Sequence, residues 1–400
     1  MNLIARPQYL KTLKHFKDTD VIKVVTGIRR CGKSTLFSLY IDYLLKQGVN
    51  KEQIIRLNLE DGSLYDIKDY RQLYEYINAK LLPNQRNYVF VDEVQQVFQF
   101  QKAIDSLYIK ENCDVYITGS NAYLLSGELA TLLSGRYVEI KMLPLSFKEY
   151  ISSTGNKHNL LQQYNDYLLN SSFPYARKLP TRQDVLTYLD GLYNTVLVKD
   201  IATRKQINNM ATLQRVLEFL FDNIGNISTA TKIANTLASG GYKISVMTVE
   251  SYLQSFLESY IFYKAERYDV KGKNRLTTGA KYYAVDLGFW YYLFGQKKAD
   301  LGHLLENVVY LELIRRGFKV FVGKVNTNEI DFMAENQEGV TYYQIAYSVL
   351  DEQVLQRELK SLAAIDDHHP KYLLTMDVVP PVNHNGIRQL NVLDWLLEEI

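Results

Sequence analysis

Apolar positions change their spacing several times along this chain, and the changes predict its elements. Short runs rich in β-branched residues, at residues 21–26, 54–59, 88–91 and 114–118, predict buried strands. Stretches of helical period lie between them. One runs from Lys33 to Gln47 and ends at Gly48; another runs from Leu73 to Leu82 and stops at Pro83. Strands alternating with helices predict a parallel sheet covered on both faces. Residues 137–140 add one more strand.

From Ser146 to Arg204 the period is helical, interrupted by Pro174 and Pro180. Helices are then expected over Thr212–Ile224, Thr229–Leu237 and Ser245–Phe262, with a turn at Gly240-Gly241. Strands at Phe262–Tyr268 and Tyr282–Val285 follow, joined by a polar connection. Three helices and a hairpin predict a winged helix-turn-helix. The last hundred residues read as a small α/β region. It has helices at Leu304–Arg316, Glu352–Ala364 and Val392–Glu399, and strands at 319–322, 329–334, 341–346 and 371–375. The expected divisions are 1–150, 151–205, 206–285 and 286–400.

Charge narrows the function classes. Lys and Arg total 46 against 44 Asp and Glu, a net charge of +2 in 400 residues, so a generally basic coat for nucleic acid is excluded. The sum hides unlike regions: +4 over residues 264–281 and −5 over residues 351–400. The first of these, carrying Lys264, Arg267, Lys271, Lys273, Arg275 and Lys281, suits contact with DNA phosphates. The helix read as the recognition helix has no Arg or Lys, which argues against guanine readout. Two cysteines, Cys31 and Cys113, make no disulfide framework. With no signal-like start and no long apolar run, they point to the cytoplasm and to no membrane span.

Residues 27–34, Gly27-Ile28-Arg29-Arg30-Cys31-Gly32-Lys33-Ser34, fit G-x-x-x-x-G-K-[ST] between a strand and a helix. The glycines let backbone N–H groups turn toward phosphate oxygens, and the helix start adds its positive dipole end. Lys33 reaches the β- and γ-phosphates of ATP, and Ser34, followed by Thr35, can hold Mg²⁺. Arg29 and Arg30 bring further cations or face solvent. Surrounding cations can lower the pKa of the Cys31 thiol, but a redox role is not expected there; steric sensitivity of the loop to alkylation is. Asp92 and Glu93 end the strand at 88–91, at the sheet edge where ligands of parallel sheets bind. Asp92 would join the Mg²⁺ shell, and Glu93 would orient or deprotonate water. The strand at 54–59 is expected to lie between the phosphate-loop strand and the Asp92 strand. Ser120 and Asn121, after the next strand, read as nucleotide sensors or as helix caps. Arg136 reads as an arginine finger, in its own subunit or a neighbouring one, or as a surface arginine.

The segments GIRRCGKST, YVFVDE, ITGSNAYLLSGELATLLSGRYVEIKMLPLSFKEY and NSSFPYARKL resemble prokaryotic AAA+ ATP-binding proteins with a C-terminal restriction-endonuclease-like domain. The resemblance implies an AAA+-type parallel sheet core, then a helical segment, a winged helix and a small PD-(D/E)xK-like α/β domain. It also implies sensor duty at Ser120 and Asn121 and a role for Arg136. It supplies no substrate. A PD-(D/E)xK nuclease needs a second acid and a lysine after its first acid. Here Asp331 fits the first acid, with Glu306 as helical helper, but Gln344 and Ala346 stand where the second acid and the lysine belong. The fold is therefore expected without phosphodiester cleavage, with Glu329 the one compensating candidate.

The expected function is Mg²⁺-dependent ATP hydrolysis coupled to DNA or protein binding, with a homo-oligomer left open. The alternatives are a nucleotide-dependent binding switch with negligible turnover and, more weakly, an ATP-gated nuclease.

Overall fold

The computed structural model describes residues 3–121, 133, 135–153, 159–207, 209–295 and 300–398. Most of the ITGSNAYLLSGELATLLSGR motif, residues 122–132 and 134, lies outside them, as does Glu399, the expected end of the last helix. The chain divides into two compact units. The first comprises Met1–Pro144, Phe173–Tyr175 and Glu258–Tyr260; the second comprises Leu145–Ser172, Ala176–Leu257 and Ile261–Ile400.

In the first unit, β1 (Ile22–Thr26), β2 (Ile54–Asn58), β3 (Asn87–Asp92), β4 (Cys113–Gly119) and β5 (Tyr137–Lys141) pair in parallel in the order β2-β3-β4-β1-β5. This corrects one expectation. The strand between the phosphate-loop strand β1 and the Asp92 strand β3 is β4, whereas residues 54–58 form the edge. Burial explains the placement: β4 is buried at every position, while Arg56 and Asn58 of β2 are exposed.

The period-two alternation of these strands sorts their side chains. Ile22, Val24, Val89, Val91, Val115 and Ile117 share one hydrophobic cluster. Phe90 and Tyr116 occupy the alternate positions, where Phe90 stacks on Tyr116 with ring centroids 4.6 Å apart and meets Phe37 of the helix Lys33–Lys46 edge-on at 5.1 Å. The Tyr40 and Tyr116 hydroxyls are 3.1 Å apart. Tyr40, Tyr116, Tyr150 and Tyr283 are the fully buried tyrosines among the described residues, four of the 32 in the chain.

The second unit contains helices at Leu160–Leu169, Arg182–Thr195, Met210–Asp222, Ala230–Ser239 and Val246–Glu258 ahead of its sheet. The sheet is built from β6 (Phe262–Asp269), β7 (Asn274–Ala284), β8 (Lys319–Val325), β9 (Asn328–Asn336), β10 (Gly339–Ala346), β11 (Lys371–Thr375), β12 (Val382–His384) and β13 (Ile387–Asn391). Their order is β12-β13-β11-β10-β9-β8-β6-β7. The basic hairpin is thus continuous with the C-terminal strands, because β6 pairs in parallel with β8. A division at residue 285 falls at the end of one strand of a continuous sheet. Local periodicity carries no signal for a pairing between strands separated by a helix. Much of the expected connection 270–280 belongs to β7, whose pairing with β6 shifts register near Glu266. Ser228 and Ala280 also exchange two backbone hydrogen bonds ahead of the second helix of the trio. The helix Leu301–Arg315 is buried continuously from Leu304 to Leu313. Among the described residues, no helix is long and apolar enough to cross a membrane.

Candidate nucleotide site

The loop at Gly27–Ser34 joins the carboxyl end of β1 to the helix Lys33–Lys46. Its two glycines are required by the backbone. Gly27 has φ 147° and Gly32 φ 109°, a region that side chains disfavour. A Cβ on Gly27 would also lie 2.1 Å from the Met142 carbonyl oxygen. Lys33 is buried; its Nζ donates to the Gly27 carbonyl at 3.0 Å and lies 3.6 Å from Glu93 Oε1. Ser34 is exposed in the first helical turn, followed by half-buried Thr35.

The two loop arginines part company. Arg29 pairs with Glu60 at 2.8 Å, while Arg30 is exposed in left-handed backbone. Cys31 is fully buried, and that burial pushes its thiol above the ordinary value despite Lys33 and Arg6 nearby. Desolvation therefore outweighs the cations.

Asp92 and Glu93 meet the loop from β3. Their setting depends on Thr118, which the sequence reading passed over. The Thr118 hydroxyl donates to Asp92 Oδ1 and accepts from the Glu93 backbone N–H at 2.9 Å. Period-two spacing on adjacent strands puts Asp92 and Thr118 side by side. Asp92 Oδ2 is buried with no hydrogen-bond partner among the described residues. Burial raises the Asp92 carboxyl above its usual range, although the Ser34 and Thr118 hydroxyls pull the other way. Glu93 is buried in left-handed backbone, φ 53° and ψ 49°. Such strain is commonest where geometry serves function. Burial opposes its ionisation, but Lys33, with Gln95, Arg29 and Ser120, outweighs burial and holds the carboxyl below its usual value. Gln95 bridges the site, donating to Glu93 Oε2 at 2.6 Å and to Ser120 Oγ at 3.3 Å. Asn121 is buried next to Ser120.

Arg136 sits elsewhere. Its carbonyl accepts from the Ile22 N–H at the start of β1, whereas the phosphate loop follows the end of that strand. Five residues at roughly 3.3 Å each put about 16 Å between them. The guanidinium pairs with Asp105 and lies over the Tyr108 ring. The fold therefore does not bring Arg136 to the phosphate loop of its own chain.

Residues 19–151 match the family model for an AAA domain, and residues 161–300 match one described as a domain of unknown function. An uncharacterized protein of Haemophilus influenzae is 40% identical over 402 residues, covering 99% of each chain. One of Methanocaldococcus jannaschii is 31% identical over 363 residues, covering 85% of this chain and 77% of its own. The chain belongs to the P-loop AAA+ family. The fold of this AAA+ protein is also like that of the Walker-type ATPase of Pyrococcus abyssi. That likeness has a TM-score of 0.50 at 14% identity and covers 73% of this chain and 96% of that one. Its P-loop core is a nucleotide-binding one.

A second charged cluster lies in the C-terminal sheet of the AAA+ protein. Lys281 of β7 is buried, with Nζ 2.9 Å from Glu306, 2.8 Å from Glu329 and 3.8 Å from Asp331. It is thus withdrawn from the basic hairpin, and the charge of residues 264–281 open to a phosphate falls from +4 to +3. Burial opposes its charge, but the three carboxylates raise its pKa above the ordinary value. Asp331 is pushed up to about 8 by burial and by Glu306, against the pull of Lys281. Gln344 accepts from the Asp331 N–H at 3.3 Å and donates to Glu358 at 2.9 Å.

Proposed function

We propose that this AAA+ protein is a Mg²⁺-dependent ATPase. The observation that carries the reading is the buried Lys33–Glu93 pair beside Asp92, whose unpartnered Oδ2 suits a cation or its water shell. The backbone of Gly27, Ile28, Arg29, Arg30, Cys31, Gly32, Lys33, Ser34 and Thr35 would hold the phosphates, and Ser34 with Asp92 would hold Mg²⁺. Bound MgATP would supply the transferable phosphoryl group and the cation that neutralises it. Lys33 would exchange Glu93 for phosphate oxygens. Glu93, ionised and released from that pair, would take the proton of an attacking water, with Ser120 and Asn121 orienting it. Phosphate release measured on wild type, Lys33→Ala and Glu93→Gln tests this. Lys33→Ala should lose ATP binding, and Glu93→Gln should bind ATP and leave it intact. Normal turnover in Glu93→Gln would refute the base. Nucleotide binding with no turnover in wild type would leave the switch reading in its place.

We further propose that Arg136 serves a neighbouring copy's nucleotide, and that the winged-helix hairpin holds DNA phosphates. Lys271 and Lys273 are exposed beyond the end of β6, while Lys264 and Arg275 share Glu266. The engagement of Lys281 by Glu306, Glu329 and Asp331 supports a nuclease-like domain without cleavage. Plasmid nicking with Mg²⁺ or Mn²⁺ that Asp331→Ala abolishes would overturn that part. Free, buried Cys31 and Cys113 suit a reducing cytoplasm.

A further inference from the structure

We propose that Arg6 is a positioning residue for the phosphate loop, holding the loop's backbone so that its N–H groups face the phosphates. Arg6 precedes the helix Pro7–His15, which Pro7 starts at a position where a missing N–H costs nothing. Although arginine is seldom fully buried, this one is 2% exposed. Its Nη1 donates to the Cys31 carbonyl at 3.1 Å. Its Nη2 donates to the carbonyls of Leu143 at 2.6 Å and Pro144 at 3.3 Å. The guanidinium lies 4.8 Å from the Tyr9 ring centroid, and the Tyr9 hydroxyl accepts from the Leu143 N–H at 3.0 Å.

One rigid fork therefore ties the middle of the phosphate loop to the segment that leaves β5. Gly27, at the other end of the loop, already abuts Met142 of the same segment. The direction of the tie matters. In a trans peptide the C=O and N–H point opposite ways. Fixing the Cys31 carbonyl toward Arg6 fixes the Gly32 N–H away from it, and Gly32 opens the helix whose first N–H groups bind anions. Arg6 also places a positive charge behind the loop without touching a phosphate. A lysine could keep the charge but has no planar fork to hold carbonyls of two segments at once.

The proposal rests on ATP binding at this loop, and its test separates the two. MgATP is titrated calorimetrically into wild type, Lys33→Ala, Arg6→Lys and Arg6→Ala, each shown to be folded by circular dichroism at the working temperature. Wild type should bind and Lys33→Ala should not. Arg6→Ala should bind about tenfold or more weakly, since hydrogen bonds from a charged group are lost. Arg6→Lys should fall between them. Millimolar methylguanidinium should restore part of the affinity of Arg6→Ala and leave wild type unchanged, a response that general loosening of the fold does not give. Should Arg6→Ala fail to fold, Arg6→Lys decides. Wild-type affinity in either folded Arg6 variant would overturn the positioning role. Absence of binding in wild type itself would instead remove the ATP reading, and the positioning role with it.

Discussion

Replacing Lys281 by Met removes one ammonium and leaves a side chain of similar length. Three carboxylates then lose their shared partner, at 2.8, 2.9 and 3.8 Å. Glu329 is 40% exposed, so water takes over much of its charge, and the cost falls on buried Glu306 and Asp331. Removing one member of a buried ion pair costs about 3–5 kcal/mol, and that range is expected at pH 8.5. The pH dependence gives the result its sign. Lys281, raised above its ordinary value, stays charged throughout the range below 10.5, so lysine titration contributes nothing to the slope. Asp331, pushed up to about 8, binds its proton more readily folded than unfolded. Its contribution to stability therefore falls as pH rises from the ordinary carboxylate range through 8, and is constant beyond. In Lys281→Met the Asp331 carboxyl, without the pull of the ammonium, takes up its proton at still higher pH, so the variant's deficit should shrink markedly by pH 5. Urea unfolding followed by tryptophan fluorescence measures this within one unit, because Trp290 and Trp395 are the only tryptophans and both lie in the second unit. A deficit below about 1 kcal/mol at pH 8.5, or one unchanged at pH 5, would refute the charge-balancing role of Lys281.

Thr118→Val keeps the shape of the side chain but strands Asp92 Oδ1 and the Glu93 N–H; it should destabilise the first unit by about 2–4 kcal/mol and lower kcat more than it raises KM. Hydrogen exchange of β3 and β4, with steady-state phosphate release, checks both. Cys31 should resist iodoacetamide at pH 8 in the folded protein and react on unfolding, since burial raises its thiol; mass spectrometry of the alkylated peptides decides, and prompt labelling contradicts the burial. Lys271→Ala with Lys273→Ala should reduce the salt slope of DNA affinity by roughly 2, whereas Lys281→Met should leave it unaltered; filter binding across salt concentrations tests the pair.

The core site was legible because its chemistry is local in the chain. A strand, eight consecutive loop residues and a helix start make a phosphate cradle wherever they fold. Asp92 and Glu93 announce themselves as acids ending an apolar strand. Thr118 and Gln95 carried no comparable mark, since threonine in a strand and glutamine after an acid are ordinary. Their roles exist only once β3 and β4 are neighbours. The state of the Cys31 thiol is hidden for a related reason: the cations near it in sequence are visible, but its desolvation is not.

By itself, the sequence determined what short-range sterics and periodicity dictate: the parallel αβ core, the glycines at Gly27 and Gly32, and the order of the motifs. The tertiary structure decided everything that depends on distance across the chain. It put β4 rather than β2 between β1 and β3, joined the basic hairpin to the C-terminal strands, and sent Arg136 to the far end of the sheet. It also carried Lys281 into a nest of carboxylates 25 and more residues away. The physical reason is the same each time. Strand order and ion pairing are settled by which buried edges and charges satisfy one another, and that competition is played out in space after local structure has formed.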